Sequence, residues 1–262
     1  MKKFLLGSVA LAAVIAGPAM AADMPLKAPP PPPVFSWTGC YVGIEGGGVW
    51  GRSRHERIEP GQFATPSFDV TGGLAGVEYG CNQQFGNFLV FGIEGDWSWT
   101  NARGSTFNSF NPDNPFATQN QSETREKWIS TSRGRIGWAW NRAWLYVTGG
   151  FAAAKVEANL TNVVGSVNNN GFPNNGSFSD SHVLYGGTVG AGFEYAFLNN
   201  WSLKAEYLYV RLENQDFLFF GRFPQTPVNR GGLNLENHIV RAGLNWKFTD
   251  CAFGFPVGCG GP

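Results

Sequence analysis

The feature that most constrains the fold of this chain is a set of eight segments in which polar and apolar residues alternate. They cover residues 38–50, 69–82, 88–100, 127–140, 143–156, 183–198, 201–212 and 236–248. A period of two predicts β-strands, because successive side chains of a strand point to opposite faces. The chain also lacks a run of about 18 apolar residues, the minimum for a transmembrane helix. These patterns therefore predict an all-β fold.

The connections between these segments alternate in length. Residues 51–68, 101–126, 157–182 and 213–235 form long polar connections, whereas the connections near 85–87, 141–142 and 199–200 are short. Barrels of outer membranes combine short periplasmic turns with longer external loops. We therefore predict that residues 37–248 form an eight-stranded antiparallel up-and-down transmembrane β-barrel. Its long loops should be extracellular and its short turns periplasmic.

Charged and aromatic side chains fall on opposite faces of the predicted strands. In 88–100, for example, Glu94 and Asp96 alternate with Trp97 and Trp99. The interior of an eight-stranded barrel is only wide enough for side chains, so it cannot hold this many rings. The aromatic face should therefore contact lipid, and the charged face should line the lumen. The predicted network that plugs the lumen comprises Glu45, Glu78, Glu94, Asp96, Arg133, Arg135, Glu194, Lys204, Glu206 and Arg241.

Two other interpretations of the alternating faces stay open. A soluble β-sandwich would use the apolar face as its core, and the charged face could instead line a gated ion or proton path. Composition favours the membrane barrel, since only 15% of the residues are charged and 15% are aromatic. Soluble domains average about 25% charged residues.

Several classes of function find no support in the sequence. The 19 basic and 19 acidic residues form no basic stripe, so we expect no nucleic-acid partner. No C-x-x-C pair with a nearby histidine suggests a metal site, and no G-x-S-x-G or phosphate loop suggests catalysis. We therefore expect no metal, no cofactor and no enzymatic activity.

The two ends of the chain predict segments outside the barrel. Lys2 and Lys3 precede an apolar run over 4–16, and an A-x-A site follows at 19–21, so residues 1–21 are predicted to be a signal peptide. Five consecutive prolines at 29–33 make 22–36 an extended, Pro-rich periplasmic tether. Residues 249–262 form a predicted C-terminal tail that contains two cysteines.

Four cysteines in a secreted chain indicate two disulfides, for which three connectivities exist. Cys40 and Cys81 lie near the periplasmic edge of neighbouring predicted strands. We predict a Cys40–Cys81 bridge, with Cys251–Cys259 closing a small loop in the tail. The other two connectivities stay open at the level of the sequence.

Six stretches together resemble the small outer-membrane β-barrel family of alphaproteobacteria, the outer-membrane immunogenic or opacity-like porin proteins. The stretches are 37–43, 92–96, 133–138, 146–150, 188–196 and 238–248. The resemblance covers about residues 1–248 and implies an outer-membrane location and a surface-exposed antigen. Members of that family commonly end at an aromatic residue of the last strand, which resembles the signal read by the barrel assembly machinery. Here Phe248 is followed by a tail, so the signal would be internal.

The function we predict is that of a structural, surface-exposed barrel with a plugged lumen, which supports envelope integrity and interacts through its loops. Its expected partners are outer-membrane lipids and lipopolysaccharide, the barrel assembly machinery, and host or phage surfaces. A narrow porin is one alternative. A barrel that binds or transports a small ligand is another, and the resemblance admits haemin. A lipid-modifying enzyme is a further alternative, in which His238 on the lipid-facing surface would work with a serine.

Overall fold

The computed structural model describes residues 35–57, 67–107, 120–162, 177–213, 216–218 and 230–248. Their strands are β1 (Gly39–Arg57), β2 (Phe68–Phe85), β3 (Leu89–Thr100), β4 (Arg103–Phe107), β5 (Asn120–Trp140), β6 (Ala143–Asn162), β7 (Ser177–Ala196), β8 (Trp201–Glu213), β9 (Asp216–Leu218) and β10 (Arg230–Lys247). Among these residues, no helix is long and apolar enough to cross a membrane.

The strands close into a barrel because β1 pairs with both β2 and β10. The short strand β4 follows β3 and pairs with the same two neighbours, β2 and β5. Likewise β9 follows β8 and pairs with β10. With these interrupted strands counted once, the ring runs β1-β2-β3-β5-β6-β7-β8-β10, and every pairing in it is antiparallel. The predicted eight-stranded up-and-down barrel is confirmed.

The strands extend further than predicted at one end of the barrel, which we call the loop end. There β1 continues to Arg57 and β6 to Asn162, while β5 begins at Asn120. The predicted segments end at 50 and at 156 and begin at 127. These boundaries were wrong for the fold, since the ladder of hydrogen bonds continues past them. At the opposite end, the turn end, the short connections lie where they were predicted.

The two faces of the barrel wall exchange character along its axis. Near the turn end, the outward side chains are apolar and exposed, and they include Ile44, Ile93, Trp138, Leu203 and Trp246. Nearer the loop end many outward side chains are charged, among them Asp69, Arg125 and Arg211. We call this part the collar, and it comprises 51–57, 68–71, 103–107, 120–127, 155–162, 177–183, 210–213 and 230–237. The inward side chains change from charged, inside the lipid-facing belt, to mostly apolar inside the collar. A wall of this kind suits lipid around the turn-end part and water around the collar.

Outward aromatic rings mark the border between these two parts. Trp97 and Trp128 stack with ring centroids 4.3 Å apart, and Trp99 faces Trp128 in register. Trp50 is 52% exposed at the same border on β1. These positions match the aromatic girdle at the outer interface of a membrane barrel.

Candidate functional site

The structure places all ten residues of the predicted lumen network inside the barrel. None of them is more than 6% exposed. The alternation of the strands explains this placement, since each residue lies at an even spacing from the other charges of its strand. Facing partners are also close, because Glu94 pairs in register with Arg133, and Glu206 with Arg241.

Glu94 on β3 is the centre of the network. Its Oε2 lies 2.8 Å from Nη1 of Arg135, and its Oε1 lies 3.1 Å from Nζ of Lys204. Arg133 also donates a hydrogen bond to Oε1, and the hydroxyl of Tyr41 donates to Oε2. With Arg241, whose Nη2 lies 3.7 Å from Oε1, four cations from three strands converge on one carboxylate, which compensates part of the cost of burying each charge.

Arg241 on β10 forms a second centre. Its Nη1 donates to Oε1 of Glu45 over 2.6 Å. Its Nη2 donates to Oε2 of Glu206 over 2.7 Å and to Oδ2 of Asp96 over 3.0 Å. These carboxylates belong to β1, β8 and β3, so one guanidinium connects four strands across the lumen.

The remaining charges complete the plug. Lys204 donates to Glu78, whose Oε1 occupies the space where a side chain at Gly243 would lie, 2.5 Å from the position of its Cβ. Arg135 also reaches Glu194, with 3.5 Å between Nη1 and Oε2. Six carboxylates and four cations therefore fill one cross-section of the barrel.

Several uncharged partners of the network were not predicted. The guanidinium of Arg135 lies 4.7 Å from the ring of Trp144 and 5.1 Å from the rings of Tyr41 and Tyr146. Asn82 accepts a hydrogen bond from Arg135 over 2.8 Å. The alternation of inward and outward side chains could have predicted these residues. Each lies an even number of positions from a lumen charge or an inward glycine on its own strand.

At the turn end the lumen is covered by a second layer, which is aromatic. Trp37 is 3% exposed and packs on Trp144, with ring centroids 5.5 Å apart. Its Nε1 donates to the carbonyl of Asn141 over 3.1 Å, and its backbone N–H donates to Gln84 over 2.8 Å. Phe35 packs edge-on against Trp37 at 5.1 Å, so the compact unit starts at residue 35 and includes the last residues assigned to the tether.

At the loop end the lumen is filled by a third, apolar layer that was not predicted from the sequence. Its buried side chains are Val49, Phe68, Val70, Leu74, Ala102, Ile129, Ala152, Ala154, Val156, Ala158, Leu184, Leu208, Val210, Leu212, Leu233, Leu235 and Ile239. One carboxylate interrupts this layer. Glu126 is 1% exposed, and its Oε2 accepts a hydrogen bond from Nδ2 of Asn237 over 3.0 Å.

The cysteines and histidines are only partly described. Cys40 faces Cys81 in register and forms the predicted disulfide, which is therefore confirmed. Cys251 and Cys259 lie outside the described residues. His238 faces outward, and its Nδ1 lies 2.6 Å from the hydroxyl of Tyr207. Within the described ranges, no group of three or more His, Cys, Asp or Glu side chains is placed to hold a metal ion.

The closed ring, its lipid-facing belt and its buried charges agree with a comparison to known families. The model of the outer membrane protein beta-barrel domain family matches residues 9–248. The chain belongs to this family. It is 36% identical to the 31 kDa outer-membrane immunogenic protein of Brucella melitensis biotype 1, over 95% of this chain and 100% of that protein. The chain is therefore an outer-membrane protein.

Two further comparisons lie at greater distance. The 22 kDa outer membrane protein of Rhizobium leguminosarum bv. viciae is 28% identical over 84% of this chain and 82% of its own length. Among solved structures, the outer membrane protease OmpT from Escherichia coli gives a TM-score of 0.47 at 13% identity, covering 83% of this chain and 99% of that one.

Proposed function

We propose that this protein is a structural barrel of the outer membrane that does not conduct and that acts through the surface at its loop end. The observation that carries the proposal is the filling of the lumen. Lys204, Arg133 and Arg135 have side chains with 0% exposure, and they are bonded to carboxylates from other strands. An aromatic layer covers this cross-section at the turn end, and an apolar layer covers it at the loop end.

A measurement of conductance in planar bilayers tests the closed lumen. The purified barrel should give no stable, reproducible open steps, while an open porin measured in the same bilayers should give them. Neutral variants of one layer, such as Glu45→Gln with Arg241→Gln, should also stay closed, because the other two layers remain. Reproducible open steps from the native protein would overturn the proposal and favour the narrow porin.

The surface role is supported by the orientation of the barrel and by its relatives. Outer-membrane barrels place their short turns in the periplasm, which puts the collar outside the cell. The Brucella relatives are named outer-membrane immunogenic proteins, and such a name suits a protein with an exposed surface. An epitope tag inserted between 163 and 176 should be labelled on intact cells. The same tag inserted at 86–88 should be labelled only after permeabilisation, and the reverse pattern would refute the orientation.

We further infer that the protein has no enzymatic activity towards lipid. The surroundings of His238 support this, because its hydrogen-bond partner among the described residues is the hydroxyl of Tyr207, 2.6 Å from Nδ1, and no serine is bonded to it there. Mass analysis of lipid A from cells with and without the protein should give the same acyl pattern. A changed pattern that is lost in His238→Gln would reject the inference.

A further inference from the structure

The outward charges of the collar follow a regular pattern of opposite signs. Wherever two of them face each other in register, one is basic and the other acidic, with a single exception among the described residues. The complementary pairs are Arg52–Asp69, Arg52–Glu236, Arg211–Glu236 and Arg125–Glu157. Complementary cross-strand pairs stabilise a sheet, and like charges placed directly opposite destabilise it.

The exception is Arg103 on β4, which directly faces Arg125 on β5. Both side chains are exposed on the outer wall. Arg125 donates through Nε to Glu123 over 2.8 Å, and the side chain of Arg125 remains 45% exposed. For Arg103, no ion pair is found within the part of the chain that the structure describes. Two facing arginines are therefore exposed together on the outer surface of the barrel.

The neighbouring charges leave this position positive. Lys127 and Lys155 lie on the same outer wall, where Glu123 and Glu157 are the acids of β5 and β6. Lys127 is paired with Glu157 at 3.1 Å. A third acid, Asp69 on β2, is paired with Arg52 at 3.6 Å. With Arg103 and Arg125, four basic groups thus stand against the two acids of β5 and β6. A bound anion would balance the excess and remove the repulsion between the arginines.

The height of the arginine pair above the membrane identifies the class of anion. The pair lies directly beyond the outer girdle, because Arg125 precedes Trp128 by three residues and Arg103 follows Trp99 by four. At about 3.3 Å per residue along a tilted strand, this is the level of the lipid headgroups. Arginine binds phosphate through two parallel hydrogen bonds, which suits it to a phosphorylated headgroup.

We propose that Arg103 and Arg125 form a binding site on the outer wall for the phosphate of a lipopolysaccharide headgroup in the outer leaflet. The stacked Trp97 and Trp128 lie just below and would contact the apolar part of the same lipid. The acyl chains of this ligand hold it at the barrel surface. A free phosphate has no such anchor. The inference requires only that the collar is at the outer surface and is independent of whether the lumen is closed.

The test is a titration of the folded protein in nanodiscs with lipopolysaccharide that carries its lipid A phosphates. The double variant Arg103→Gln with Arg125→Gln should bind about tenfold more weakly, as expected for the loss of charge-assisted hydrogen bonds. Arg211→Gln is the matched control, because Arg211 is an exposed collar arginine that faces Glu236. This variant should bind lipopolysaccharide with an affinity within about twofold of that of the native protein. Equal affinities of the native protein and the double variant would overturn the proposal.

Two further arms identify the ligand. Lipopolysaccharide from which the phosphates have been removed should bind the native protein as weakly as the intact lipid binds the double variant. Inorganic phosphate should compete only at much higher concentration, and competition at the same concentration would overturn the lipid assignment.

The stability of the barrel gives a separate test. Without lipopolysaccharide, Arg103→Gln should raise the urea midpoint of the barrel, since the repulsion between the two arginines is removed. With it, the same variant should lower the midpoint relative to the native protein. A variant that lowers both midpoints would show a structural role instead.

Discussion

Lys204 Nζ lies 3.1 Å from Glu94 Oε1, although the two residues belong to strands on opposite sides of the eight-stranded ring. Four steps separate β8 from β3 in either direction around the barrel. Their contact therefore shows that side chains from facing walls meet at the centre of the lumen. Removal of either partner would leave its counterpart as a buried charge in a site with little water.

The first prediction concerns the loss of the central carboxylate. Glu94→Gln should lower the free energy of unfolding by about 3–5 kcal/mol, because it removes the buried carboxylate with which Lys204, Arg133 and Arg135 are all paired. Urea unfolding of the barrel in lipid vesicles, followed by its heat-modifiable mobility, measures this change. The double variant Glu94→Gln with Lys204→Met should recover part of the loss. If the double variant lost as much free energy of unfolding as the two single variants added together, the proposed coupling would be contradicted.

An exposed ion pair serves as the control for this prediction. Arg52 and Asp69 lie 3.6 Å apart in the collar, and both side chains are 79% exposed. Arg52→Gln should change the free energy of unfolding by less than about 1 kcal/mol, since water and salt screen an exposed pair.

The second prediction concerns the carboxylate buried in the apolar layer. Glu126 has Asn237 as its hydrogen-bond partner, and its Oε1 is buried without a partner among the residues that the structure describes. Glu126→Gln keeps a group of the same size and should stabilise the barrel by about 1–3 kcal/mol, because an incompletely bonded charge is removed from the interior. Urea unfolding measures the effect, with the exposed Glu123→Gln as the control. Destabilisation by Glu126→Gln would mean that the ionised carboxylate is satisfied in the folded barrel.

The sequence could predict which side of each strand faces the lumen, but one irregularity limits this in β5. Counting back by twos from Arg133 would place Lys127 and Arg125 inside the barrel. The register shifts between Glu126 and Trp128, so Glu126 faces the interior and Arg125 faces outward. A β-bulge inserts one extra residue and reverses the alternation beyond it. Neither the buried carboxylate nor the facing arginines could be predicted without that shift.

The three-layered lumen was predictable only in its central part. The charges alternate with aromatic residues, and this contrast fixes their face. The apolar layer includes Leu212, at the end of a predicted strand, and Leu233, which lies in the predicted connection 213–235 but belongs to β10. Trp37 lies before the first strand, and its position inside the mouth depends on contacts with residues distant in sequence, such as Trp144.

The third prediction tests the aromatic layer at the turn end. Trp37→Ala should lower the free energy of unfolding by about 3–5 kcal/mol, because a buried ring and its bond to the Asn141 carbonyl are lost. Phe107→Ala is the control, since this collar ring is 61% exposed and its removal should cost less than about 0.5 kcal/mol. If the two variants unfolded at the same urea concentration, residues 35–37 would not pack inside the turn end of the barrel.

The fourth prediction separates the two disulfides. Cys40 and Cys81 close a loop with a sequence separation of 41, so Cys40→Ser with Cys81→Ser should lower the free energy of unfolding by about 4 kcal/mol through the entropy of the unfolded chain. Cys251→Ser with Cys259→Ser is the control and should leave the urea midpoint nearly unchanged, because a bridge between cysteines only eight residues apart in sequence constrains little of the unfolded chain. Thiol titration of the unfolded, unreduced native protein should detect no free cysteine. Detection of four thiols, or equal midpoints for both double variants, would reject the predicted pairing.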